Sequence, residues 1–189
     1  MTASGDASVG TLTPRPSHMA PLLVRNQAFA RDHGPRPLAP PAAELVVVTC
    51  LDHRVDPAVV LGLRLGDAPV LRNAGGRVTP AVVDDLAYLG FLARRVFQLE
   101  GPLFEVAIIH HTQCGTGFLA DEDFRREAAA ATGVPAEDLA ASQVADPYET
   151  VRADVDRLRA SPRLPSGVGV SGHVYDVETG LVAMVTTAD

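Results

Sequence analysis

Cys50-Leu51-Asp52-His53-Arg54 and His111-Thr112-Gln113-Cys114-Gly115 contain both cysteines of the chain. Each cluster directly follows a short β-branched run, Leu45-Val46-Val47-Val48-Thr49 and Val106-Ala107-Ile108-Ile109. Two thiolates and an imidazole at two strand ends make three corners of a zinc tetrahedron. The fourth corner is left to water or to Asp52, an arrangement suited to catalysis rather than to a structural staple. The His-x-x-Cys spacing lets His111 and Cys114 turn toward one point as the chain leaves a strand, while Cys50 arrives from a neighbouring strand. The competing reading is a pair of small core cysteines and a surface histidine. The placement of both cysteines at strand exits weighs against it.

Alternation along an extended segment puts residues 50, 52 and 54 on one side. Asp52 can therefore reach either a metal or Arg54, and the two options compete. An Arg54 fork on the carboxylate leaves the fourth position to water, whereas a released Asp52 coordinates the metal and blocks it. In isolation Asp-x-Arg would be an ordinary salt bridge. The same alternation turns His53 away, to packing or surface. Its functional reading is a proton carrier, since an unperturbed imidazole titrates at about 6.5.

These clusters need strands to carry them, and the chain supplies the pattern. Strands are expected at Leu45–Thr49, Ala68–Leu71, Phe104–His110, Val168–Tyr175 and Leu181–Val185, the last two joined by a turn at Glu178-Thr179-Gly180. Helices are expected over Leu22–Ala30, from Asp56-Pro57 through Leu63, from Thr79-Pro80 to Phe97, from Asp121 to Thr132 with Gly133 closing it, and from Asp146-Pro147 to Ala160. Arg72-Asn73-Ala74-Gly75-Gly76 reads as a strand-to-helix loop. Strands alternating with helices imply an α/β fold with a mainly parallel sheet. In such sheets function gathers beyond the C-terminal strand ends at a switch in strand order, where both clusters fall. Tyr88 and Phe91 lie off the main apolar stripe of their helix, which suggests a second face covered by a partner subunit.

Composition narrows the field further. The 189 residues carry a net charge of −7, which argues against nucleic-acid or anionic-membrane partners. All basic residues are arginine, so Schiff-base, P-loop and kinase lysines are excluded together. No apolar run reaches the roughly 18 residues of a membrane span. The opening MTASGDASVGTLTPRPSHMA has no basic start followed by an apolar stretch, so no secretory signal is expected. A cytoplasmic location follows, where thiols stay reduced and free for metal. Residues 1–20 read as a disordered arm and 21–189 as a single zinc-binding α/β domain. No Cys-x5-Arg loop follows Cys114, and no Gly-x-Gly-x-x-Gly follows a strand, so phosphatase and dinucleotide readings fail.

Cys-x-Asp-x-Arg, then Arg-Asn-Ala-Gly-Gly, then His-x-x-Cys-Gly, in this order, closely resemble the β-class carbonic anhydrases, above all their short bacterial members. The resemblance runs from about Leu45 to the C-terminus. It implies a four- or five-stranded, mostly parallel sheet flanked by helices, and one zinc per chain on Cys50, His111 and Cys114. It makes Asp52 and Arg54 a dyad, Asp52 accepting a hydrogen bond from zinc-bound hydroxide. In some members that aspartate swings onto the zinc in an inactive, closed state. It implies backbone lining of a narrow substrate cleft by Asn73, Ala74, Gly75 and Gly76, and Gly115 offers its N–H to a zinc-bound anion. The implied working unit is a dimer with its cleft at the subunit interface, and the implied reaction is reversible hydration of carbon dioxide to bicarbonate. Related zinc hydrolases that act on carbonyl sulfide or carbon disulfide share these ligands, and a non-enzymatic zinc scaffold closed by Asp52 is the third option. His53 departs from the pattern, since the family usually has serine or alanine there.

Overall fold

Unbroken apolar runs suit strands buried on both faces; the runs at Leu45–Cys50 and Phe104–His111 obey that rule and lie among five strands. The five are β1 (Leu45–Cys50), β2 (Val70–Asn73), β3 (Phe104–His111), β4 (Val168–Tyr175) and β5 (Val182–Thr186), in the computed structural model, which describes residues 17–188. Their order in the sheet is β2-β1-β3-β4-β5. All neighbours are parallel except β5, which runs antiparallel to β4. The sheet is thus five-stranded and mostly parallel, as expected. β2 lies on one side of β1 and β3 on the other, so the chain reverses its winding at β1, and the ends of β1 and β3 emerge side by side.

The described chain divides into two compact units. One ends at Pro37 and contains α1 (Ala20–Arg31), none of whose residues is buried. The other begins at Leu38 and holds the sheet. Residues 1–16, most of the expected arm, lie outside the described residues.

Within the second unit, alternation along the strands sorts side chains onto two faces. On one face Val46, Val48, Val106, Ile108, Val170 and Val174 pack with Val82, Val83 and Leu86 of α3 (Pro80–Arg95) and with Val151, Val155 and Leu158 of α6 (Pro147–Arg159). On the other, Val47, Ala107 and Ile109 meet Leu45, Leu63 and Tyr175. The remaining helices are α2 (Pro57–Val60), α4 (Glu122–Thr132) and α5 (Ala136–Ala141). Their starts follow the capping residues: Thr79 accepts from Val82 N–H, Asp121 from Phe124 N–H, and Asp146 from Tyr148 and Glu149 N–H. Gly133 closes α4 in the left-handed region, φ 75°.

Several boundaries differ from the sequence reading. β2 begins two residues later than expected and takes in Arg72 and Asn73, because Pro69 has no N–H to give a ladder. α2 stops before Leu63, since Gly62 turns the chain at φ 67°. α3 ends at Arg95. α5 was not foreseen; its six residues are too few to show a period.

Arginine does much of the tying. Arg94 donates to the carbonyls of Leu99, Gly101 and Ser166, Arg125 to that of Leu119, and Arg159 to those of Val170 and Thr187. The most buried tie is ionic. Asp154 on α6 is fully buried and accepts from Arg77 Nε at 2.6 Å, Arg77 Nη2 at 3.1 Å, Val78 N–H at 3.2 Å and Arg157 Nη1 at 2.7 Å. His110 Nε2 lies 3.3 Å from the same carboxylate, and its Nδ1 meets Thr150 Oγ1 at 2.9 Å, so His110 is structural.

Burial opposes the Asp154 charge, but His110 and Arg77 outweigh it and hold its pKa at about 2. That value lies below the ordinary carboxylate's, so this contribution is present above about pH 4 and lost as pH falls toward about 2. Asp154→Ala strands Arg77 without its partner and is expected to cost about 3–5 kcal/mol. Urea unfolding across that acid range checks both points. The variant should start lower and lose less on acidification.

Candidate metal centre and active site

Because β1 and β3 are parallel neighbours, Cys50 and His111, the last residue of each, leave the sheet side by side. Cys114 must turn back to join them. The turn is made at Gln113, a non-glycine residue in the left-handed region at φ 53°. It is braced by Thr112, whose N–H donates to Tyr175 O and whose Oγ1 accepts from Val177 N–H. All three candidate ligand residues are buried, and their potential ligand atoms lie within 4.8 Å of one another.

The donor set could hold a metal ion. His111 Nδ1 is 2.9 Å from the Thr112 carbonyl, which can only accept, so Nδ1 carries the proton. The lone pair is left on Nε2, which is buried and has no hydrogen-bond partner among the described residues. Cys50 Sγ and Cys114 Sγ are 3.8 Å apart. Two zinc–sulfur bonds of about 2.3 Å at a tetrahedral angle separate their sulfurs by about 3.8 Å.

The hydrogen bond to Cys114, with burial behind it, pushes the Cys50 thiol up to about 12. The same bond, against the cost of burial and with help from Thr116 Oγ1 at 3.1 Å, lowers Cys114 to about 6. Two adjacent thiolates are thus disfavoured until a cation discharges both. Neither cysteine is in a disulfide.

Asp52 faces Arg54. Arg54 Nε donates to Oδ1 at 3.0 Å and Nη2 to Oδ2 at 2.6 Å, while the Arg54 backbone N–H reaches Oδ1 at 2.9 Å. The Arg54 hydrogen bonds hold the Asp52 carboxyl well below the usual carboxylate range. Arg54 Nη2 also donates to Gln113 O at 2.9 Å, so the dyad is tied to the His111–Cys114 turn. The expected juxtaposition is present, but its expected cause is not. Residues 52–55 form a tight turn, with Val55 N–H on Asp52 O at 3.1 Å, rather than an extended segment. Aspartate favours such turns by capping its own backbone two residues on. His53 projects into solvent with Nδ1 3.7 Å from Asp52 Oδ1.

A cleft of about 380 Å³ opens over these groups. Leu51, His53, Ala74, Gly115 and Thr116 line it together with Cys50, Asp52 and Cys114. Asn73, Gly75 and Gly76, read from sequence as cleft lining beside Ala74, form the layer behind. Asn73 closes the turn through Arg77, accepting its N–H and donating to its carbonyl, both at 2.8 Å. Gly76, at φ 67°, passes so close to β1 that a Cβ would stand 2.8 Å from Cys50 N. Its glycine lets the loop lie against the ligand strand. Thr116 and Leu51 were missed in the sequence; Thr116 follows a candidate ligand by two residues, which was the available signal. A larger cavity of about 530 Å³ lies at the opposite end of the strands, with apolar walls apart from Glu44 and Glu100, and holds none of this chemistry.

Comparison with known proteins agrees with the geometry. The family model described as carbonic anhydrase matches residues 45–182. Beta-carbonic anhydrase 1 of Mycobacterium tuberculosis is 33% identical over 165 residues, which are 87% of this chain and 95% of the relative. The chain belongs to the β-carbonic anhydrase family. A solved carbonic anhydrase from Streptococcus mutans superposes with a TM-score of 0.73 at 36% identity, over 90% of this chain and 99% of the other. Carbon disulfide hydrolase of Acidithiobacillus thiooxidans is also similar, 31% identical over 156 residues, 72% of this chain and 74% of the relative. The relatives of this chain, as named, thus differ in substrate. Among the described residues no helix is long and apolar enough to cross a membrane.

Proposed function

We propose that the protein is a zinc-dependent carbonic anhydrase, a lyase that reversibly hydrates carbon dioxide to bicarbonate. The observation that carries this reading is the unpartnered, buried His111 Nε2 beside two sulfurs 3.8 Å apart, with Asp52 held on Arg54 instead of on that site. Cys50, His111 and Cys114 would hold one zinc per chain. When bound there, zinc lowers the pKa of water toward about 7 and so makes a nucleophile available at neutral pH.

The chain's own residues do the rest. Asp52, charged and pinned by Arg54, can only accept a hydrogen bond, and so orients the nucleophile by its remaining proton. Leu51 and Ala74 give carbon dioxide an apolar wall, with Asn73, Gly75 and Gly76 keeping the wall in place. Gly115 offers backbone to the bicarbonate that forms. Water plus carbon dioxide yields bicarbonate and one proton, which passes to buffer. His53 at the cleft mouth is placed to relay it.

Purified protein should contain one zinc per chain by elemental analysis, and folded, active, metal-free protein would end the zinc assignment. Hydrolysis of carbonyl sulfide or carbon disulfide is the second reading, favoured by the named carbon disulfide hydrolase among the relatives. Stopped-flow assays with all three substrates in parallel decide between them. A zinc-loaded protein inert toward all three across pH would be the closed scaffold.

We further propose a homodimer or larger homo-oligomer, acting in the cytoplasm without nucleic-acid or membrane partners. Tyr88 and Phe91 on α3 are 60% and 58% exposed, a cost in water that a second copy would remove. Light scattering is expected to give at least a dimer at micromolar concentration; a stable, active monomer would contradict it.

A further inference from the structure

The turn that carries Asp52 is gripped from the side opposite Arg54. Arg72 lies in β2, where Thr49 pairs with Arg72 and Cys50 with Asn73. From there its guanidinium reaches across the end of β1. Nε donates to the Cys50 carbonyl at 3.0 Å and Nη2 to the Asp52 carbonyl at 2.7 Å. Nη1 stands 3.8 Å from Asp56 Oδ2, and Asp56 caps α2. One planar group thus holds both ends of the Cys50–Asp52 backbone and the start of the next element. The last ladder bond on this side is Leu51 N–H to Asn73 O.

The backbone of residue 52 sets the direction from which the Asp52 carboxylate meets Arg54. The Asp52 carbonyl is held twice, by Arg72 and by Val55 N–H at 3.1 Å. Arg54 secures the side chain and Arg72 secures the backbone that aims it. We infer that Arg72 is a positioning residue, which keeps Asp52 on Arg54 and away from the metal-facing side. This rests on the proposed reading of the site as an open zinc centre.

A planar fork presents Nε and Nη2 to the two carbonyls in a fixed geometry, whereas an ammonium is a compact donor on a flexible stem. Arg72→Lys keeps the charge and Arg72→Met keeps only the stem. Both are expected to retain metal but lose kcat by about 10–100-fold, the range for groups that orient metal-site residues. The decisive readout is optical. Cobalt(II) is loaded in place of zinc, and thiocyanate is titrated against the visible spectrum. In the wild type the anion should reach the open position and change the bands. In Arg72→Met the change should be lost or need at least tenfold more anion, because Asp52 occupies the position. Adding Asp52→Asn to Arg72→Met should restore the response.

A wild-type response and turnover in Arg72→Met would overturn the inference. So would a lost response that Asp52→Asn fails to restore, or unfolding of both variants by circular dichroism, either of which makes Arg72 a general strap. A wild type that binds cobalt but ignores the anion would instead sink the open-centre reading.

Discussion

Replacing Cys50 by serine is expected to abolish metal binding and activity together. The hydroxyl is a hard, poorly ionised donor where a thiolate is needed, and the loss should exceed about 100-fold in metal affinity. Cys114→Ser should do the same, although Cys114 is the sulfur that sheds its proton more readily. Titrating metal into the reduced apoprotein while following released protons gives an independent check. The thiol pair holds a proton near neutral pH because Cys50 is raised to about 12, so metal uptake by the wild type should release it. Cys50→Ser should release less. Tight, stoichiometric zinc in either serine variant would show that the sulfurs are not ligands.

Arg54→Ala is expected to leave zinc in place and reduce turnover by about 100-fold or more. The substitution deletes both side-chain hydrogen bonds to Asp52 and frees the carboxylate to turn toward the metal. Asp52→Asn should lose about 10–100-fold for another reason: the amide keeps the shape but no longer presents the charged acceptor, while the fourth position stays open. The double variant should then be no worse than Asp52→Asn alone, because a neutral amide gains little by reaching the metal. In the wild type Asp52 stays charged throughout the neutral range, since Arg54 holds it well below the usual carboxylate values. A rise in rate between about pH 6 and pH 9 would therefore report the loaded site as a whole, not this carboxyl. Wild-type turnover in Arg54→Ala over that range would reduce the pair to an ordinary salt bridge.

Much of this could be read from residues alone, for identifiable reasons. The clusters at Cys50 and His111–Cys114 stood out because their spacing to a preceding β-branched run is local, and parallel neighbours then bring the ends together. The Asp52–Arg54 pairing was legible, but its cause was misread: strand alternation was assumed where an aspartate-capped turn does the work. The shift of β2 mattered more. Reading Arg72 and Asn73 as loop hid the fact that a strand aims Arg72 at β1. The glycines of the 74–76 turn announced a close approach without saying to what; that Gly76 faces the backbone of Cys50 depends on a contact between distant segments. Asp154, an unremarkable helix residue by sequence, became the buried ionic centre only because Arg77 and Arg157 converge on it.

Several backbone carbonyls of this protein are tied by guanidinium groups, and no lysine stands in for any of these. Dissolved carbon dioxide adds to neutral amines to form carbamates, and a lysine with a lowered pKa is the usual side-chain victim. A guanidinium with a pKa above about 12 stays protonated and does not react in this way. No side chain here can be carbamylated, and the ties at Cys50, Asp52, Leu119 and Val170 keep their charge whatever the gas concentration. The scaffold is chemically inert toward the substrate proposed for its own cleft.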